Sequence, residues 1–88
     1  MKRIKLSLHC KEKLIVLNKH NFQVDAHFIK ETVLKPDLKT EGYGNRMINQ
    51  KKLDENHVLR VIYEENEDEI LIITVYPGRR SRYEENQI

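Results

Sequence analysis

The stretch His57-Val58-Leu59-Arg60-Val61-Ile62-Tyr63, Glu64-Glu65-Asn66-Glu67-Asp68-Glu69, Ile70-Leu71-Ile72-Ile73-Thr74-Val75-Tyr76 decides the fold. Two runs rich in β-branched and aromatic residues enclose a charged segment, the pattern of two strands joined by an exposed hairpin turn. Val58 to Tyr63 is one strand. Ile70 to Tyr76, nearly continuous in apolar character, reads as the central strand of a sheet, covered on both faces. Pro77-Gly78 is expected to break the ladder, leaving Arg79-Arg80-Ser81-Arg82-Tyr83 as a short final segment at the sheet edge.

Toward the N-terminus the period changes. Arg46 to Leu53 is polar-rich and suits an exposed or edge strand, and Lys39 to Asn45, with Gly42 and Gly44 around Tyr43, reads as a loop. Before it, Ala26, Ile29 and Val33 repeat at helical spacing behind the capping candidate Asp25, and Pro36-Asp37 ends the helix. Cys10, Leu14 and Leu17 make a second apolar face over Leu8 to Asn18, with Ser7 at the N-cap. Ile4-Lys5-Leu6-Ser7 alternates as a short first strand. The expected class is α+β, in the order β-α-α-β-β-β: a helical hairpin on a mainly antiparallel four-stranded sheet, as one domain over residues 1–88.

The chain has 88 residues, room for one core and little interior for a large cofactor, which excludes Rossmann and TIM-barrel enzymes. Met1-Lys2-Arg3 begins like a signal peptide, but no apolar h-region follows, and the apolar run Ile70 to Ile73 is far below the roughly 18 residues of a membrane helix. The lone Cys10 fits a reducing, cytoplasmic setting. Net charge is +2, from 16 Lys and Arg against 14 Asp and Glu, and it conceals strong segregation. Residues 1–20 hold six cations and one acid, residues 64–69 five acids, and residues 70–83 three arginines. Because exposed charges act over a Debye length of roughly 8 Å, a basic face for a polyanion survives this cancellation.

The residues with phosphate chemistry are Arg79, Arg80 and Arg82, whose guanidinium forks bind phosphate in bidentate fashion, with Tyr83 to stack on a base or donate a proton. A basic edge that resists aggregation is the structural alternative. Arg60 sits inside an apolar strand: if Leu59 and Val61 face the helices, Arg60 and Ile62 face the other side of the sheet. Lys51 and Lys52 alternate faces, so at most one of them joins a given cluster. His9 and Lys13, four apart on the first helix, pair a general acid or base with a phosphate-binding cation. His20, His27 and His57 lack metal spacing, so no metal is expected. Cys10 reads as a core residue.

The segment from His57 through the acidic turn to Arg79-Arg80-Ser81-Arg82-Tyr83, behind a strand and a helical hairpin, resembles the end of the RelE/ParE toxin superfamily. Ser7-Leu8-His9, Pro36-Asp37 and Val75-Tyr76-Pro77-Gly78-Arg79-Arg80 resemble more narrowly a family of small prokaryotic domains of unknown function related to those toxins. The resemblance implies a metal-independent, cofactor-free messenger-RNA endoribonuclease acting at the ribosome and neutralised by an antitoxin. Arg60 would stabilise the phosphorane, Arg79 or Arg80 would hold the scissile phosphate, and Tyr83 would stack on the substrate and assist attack by the 2′-hydroxyl. His9 is the chemical choice for a base, and Lys13, Lys51, Lys52 and Arg82 would complete the RNA contact. Tyr83 follows the arginines more closely than the family pattern has it. In the ParE-type branch the target is gyrase, so a shared fold also fits a non-catalytic RNA- or protein-binding domain. A homodimer through a sheet edge is the remaining partner expectation.

Overall fold

A computed structural model describes residues 2–84 of the chain, the side chains of 83 and 84 excepted. The elements are β1 (Arg3–Leu6), α1 (Leu8–Lys19), α2 (Ala26–Leu34), β2 (Leu38–Glu41), β3 (Arg46–Lys52), β4 (His57–Glu65), β5 (Glu69–Arg79) and α3 (Arg80–Glu84). The class is α+β. The sheet has five strands, in the order β1-β5-β4-β3-β2. It is mixed: β1 runs parallel to β5, and the other neighbours are antiparallel.

Both long helices begin at the residues whose side chains cap them. Ser7 Oγ accepts the Cys10 N–H at 3.0 Å, and Asp25 Oδ1 accepts that of Phe28 at 2.8 Å, satisfying donors that a helix start leaves orphaned. Ser7 also donates its hydroxyl to Ile73 O at 2.7 Å, tying the start of α1 to β5. Cys10 and Leu17 from α1, Ile29 and Val33 from α2 and Val24 between them pack on Leu59, Val61, Tyr63, Ile70, Ile72 and Val75. One face of the sheet therefore carries the core. The polar residues within it are bonded: Asn49 Nδ2 donates to Val33 O at 2.9 Å and Thr32 O at 3.3 Å, and its Oδ1 accepts the Tyr63 hydroxyl at 3.2 Å.

Five expectations are corrected. The sheet has a fifth strand, because Leu38–Glu41, in the segment read largely as a loop, pairs with β3 and leaves only Gly42 to Asn45 as the turn. Arg46–Lys52 is consequently not an edge but lies between β2 and β4, and its Asn49 and Gln50 are buried. The centre of the sheet is β4, with β5 one place from the edge. Pro77-Gly78 does not break the ladder, since Leu59 pairs with Pro77 and Val58 with Gly78. β1 stops at Leu6 opposite Ile72, so the later part of β5 has an open side where a residue without an N–H is tolerated. Finally, Arg80–Glu84 is a short helix that returns against β4 and β5, not a segment at the sheet edge.

Candidate nucleic-acid interface

Alternation along each strand assigns the second face of the sheet. With Leu59, Val61 and Tyr63 in the core, Val58, Arg60, Ile62 and Glu64 point away from α1 and α2. Register aligns them with Gln50 and Tyr76 beside Arg60, Ile48 and Thr74 beside Ile62, and Lys52 and Gly78 beside Val58. Leu38 and Thr40 extend these rows onto β2.

Tyr76 reaches that face through a defect in the ladder. Tyr63 pairs with Ile72 and Ile62 with Thr74, so Ile73 is an extra residue. Ile70 and Ile72 face the core, and without the bulge Thr74 and Tyr76 would follow them inward. The extra residue turns Val75 inward and Tyr76 outward, the re-aiming that β-bulges produce next to functional sites. The Arg60 Cζ then lies 5.7 Å from the centroid of the Tyr76 ring, within cation–π range. Gln50, 4% exposed, flanks the pair.

The remaining candidates divide among three places. Lys52 shares the Arg60 face; its Nζ lies 3.4 Å from Glu55 Oε1, and its backbone N–H donates to Asp37 Oδ2 at 2.8 Å. Arg79 ends β5 opposite His57, at the same end of the sheet but on the helix side. Arg80 opens α3 with its N–H on Asn56 O at 2.9 Å and its Nη1 on Glu55 O at 3.0 Å, so part of its guanidinium holds the β3–β4 turn. Arg82 is exposed on α3. The side chain of Tyr83 lies outside the described residues. His9 and Lys13 project from α1 and Lys51 from the helix side of β3, across the sheet from Arg60. Lys51 Nζ donates to Lys35 O at 3.0 Å, capping the C-terminal end of α2, where a cation is favoured. Lys52, Arg60, Arg79, Arg80 and Arg82 are thus gathered at one end of the molecule, whereas His9, Lys13 and Lys51 are not among them.

His57, set aside in the sequence for want of metal spacing, is held by its turn. Asp54 Oδ1 accepts the Asn56 N–H at 2.8 Å and lies 2.9 Å from His57 Nδ1. The Asn56 bond first, then His57, holds the Asp54 carboxyl below the usual carboxylate range. The imidazole packs edge-on against Phe22, centroids 5.0 Å apart. The Asp-x-x-His spacing was the available signal. Burial pushes the Cys10 thiol up to about 11, so Cys10 is a protonated core group rather than a nucleophile. Among the described residues no group of three or more His, Cys, Asp or Glu side chains is placed to hold a metal ion, and no helix is long and apolar enough to cross a membrane. No protein-family model, curated protein or solved structure matches the chain.

Proposed function

We propose that the chain is an RNA-binding domain of RelE-like architecture that takes single-stranded RNA on the sheet face opposite α1 and α2, at the end carrying Arg60 and Tyr76. The observation that carries this reading is the Arg60–Tyr76 pair, 5.7 Å from guanidinium carbon to ring centroid, on two strands at the middle of the sheet. Arg60 and Tyr76 are half-buried there and Lys52 is exposed beside them; a base can stack against the exposed part of the pair, and Lys52 can take an adjoining phosphate.

A second reading, a RelE-like endoribonuclease toxin with a cognate antitoxin, draws on the same pair. Arg60 would stabilise the phosphorane, and Tyr76 supplies a phenol on its face whatever the position of Tyr83. The binding reading takes precedence because no histidine among the described residues stands on that face: His9 lies across the sheet, and His57 packs against Phe22 on the helix side.

Fluorescence anisotropy with a labelled single-stranded RNA of twelve nucleotides tests both. Binding should weaken with salt at a log–log slope of about −0.7 per phosphate contacted. Tyr76→Leu should lower affinity by roughly tenfold, within the span of one lost stacking contact, and Arg60→Gln should reduce both the affinity and the slope. Absence of binding at 50 mM salt, or equal affinity for Tyr76→Leu, overturns the reading. Shortened products ending in a 2′,3′-cyclic phosphate, or growth arrest on expression relieved by Arg60→Gln, would move the assignment to the nuclease.

A further inference from the structure

The two edges of the sheet differ in what they offer a second copy of the chain. At one edge β1 carries Arg3 and Lys5, and antiparallel self-pairing would set like charges against each other, a common way to blunt an edge. At the other edge β2 reads Leu38-Lys39-Thr40-Glu41. Lys39 and Glu41 are both exposed; neither has an opposite charge within 4 Å among the described residues, and Lys39 acts on Glu65 only from a longer range.

Backbone direction fixes how a second strand could add. Gly42 donates its N–H inward to Arg46 O at 2.8 Å. By alternation Thr40 also faces β3, while the N–H and C=O groups of Lys39 and Glu41 point out of the sheet. An antiparallel partner must hydrogen-bond to those outward residues, which leaves three two-fold registers. Centring on Lys39 opposes lysine to lysine, and centring on Glu41 opposes glutamate to glutamate. Centring on Thr40 places each Lys39 opposite the partner's Glu41, with opposite charges on the same face and both main-chain groups exchanged, the favourable cross-strand arrangement.

We propose that this chain forms a two-fold dimer in which β2 of each copy pairs antiparallel across Thr40, joining the two sheets into one of ten strands. The same register brings Tyr43, 95% exposed, alongside the partner's Pro36-Asp37 segment, adding apolar contact at both ends of the seam. Two four-residue strands bury less than the about 1,000 Å² of a lasting interface, so the dimer is a concentration-dependent one in the micromolar range or weaker. It does not depend on how the opposite sheet face is used.

Sedimentation equilibrium of the full chain from micromolar to millimolar concentration is the test. The wild-type chain should pass from monomer to dimer. Glu41→Lys, which sets four cations along the seam, and Lys39→Pro, which removes only an outward N–H, should each weaken association at least tenfold while the circular dichroism of the monomer is kept. An equimolar mixture of the Glu41→Lys and Lys39→Glu chains should associate again, because each lysine then meets a glutamate. A monomer at every concentration overturns the proposal. So does a dimer that both edge variants leave unchanged, or a mixture that fails to associate.

Discussion

Asn49 holds α2 to the sheet, and its replacement is the sharpest test of the packing. The side chain is 0% exposed and makes three hydrogen bonds: to the carbonyls of Thr32 and Val33, and from the hydroxyl of Tyr63. Those carbonyls belong to the last turn of α2, where intrahelical donors run out. Asn49→Ala leaves at least the Val33 carbonyl and the Tyr63 hydroxyl without these partners, in a region where Tyr63 itself is 1% exposed. At about 1 to 3 kcal/mol for each buried polar group left unsatisfied, the cost is about 2 to 6 kcal/mol. At the usual 0.05 to 0.15 kcal/mol per residue, an 88-residue chain has about 4 to 13 kcal/mol to lose. The substitution should therefore remove at least about a sixth of the stability. Urea denaturation followed by circular dichroism reads this as a lower midpoint at unchanged slope. Tyr63→Phe in the Asn49→Ala background should cost about 1 kcal/mol less than in the wild type, because the hydroxyl it deletes is already orphaned. A loss below about 1 kcal/mol for Asn49→Ala, or strict additivity in the cycle, would refute the brace.

Two further outcomes follow from ionisable groups. The Asp54 carboxyl is held low by the Asn56 N–H and then by His57, and the Glu65 carboxyl by a hydrogen bond from Lys2. A depressed folded value adds stability above the ordinary carboxylate range of about 4 and loses it as pH falls through the folded value. Asp54→Asn should accordingly flatten the acid limb of the urea midpoint against pH below about 4 and leave pH 7 little changed, by a small amount because the carboxyl is exposed and screened. Buried and protonated, the Cys10 thiol should resist a disulfide reagent at pH 8 in the native protein and react on unfolding; rapid native labelling would show that α1 opens locally.

What could be read in one dimension depended on how local its cause was. Ser7 and Asp25 announced both helices because a cap needs only its own first turn. The acidic hairpin and the outward direction of Arg60 followed from a two-residue period. β2 was missed because Leu38-Lys39-Thr40-Glu41 is too short and too charged to show an apolar face, and its existence rests on pairing with β3. Asn49 and Gln50 made β3 look exposed, since a buried amide is distinguished from a solvated one only by partners 14 to 17 residues away for Asn49. The candidate site suffered most from the Ile73 bulge: counting by twos from Ile70 sends Tyr76 into the core, and only the inserted residue sets it beside Arg60.

The charge segregation acquires a direction in three dimensions. The β4–β5 hairpin has its acidic turn at one end and Arg79 at the other, ten residues on along β5, a span on the order of 30 Å at about 3.3 Å per residue. That is several Debye lengths, so the acidic tip does not quench the basic end. The acids at the tip are also tied to neighbouring cations: Glu65 to Lys2 at 2.7 Å, Glu64 to Arg46 at 3.5 Å and Glu69 to Lys5 at 3.6 Å. The proposed RNA would therefore lie across the strands at the end holding Lys52, Arg60, Arg79, Arg80 and Arg82 rather than along the hairpin. A two-fold seam through Thr40 would keep both outer faces on the same side of the joined sheet. The two Arg60 residues would then stand five strand spacings apart and the two Tyr76 residues seven, on the order of 25 to 35 Å at about 4.8 Å each. One extended RNA strand could occupy both, and linkage of two weak sites raises affinity without any new contact. Such a pairing would offset the weakness that a net charge of +2 imposes on a single copy.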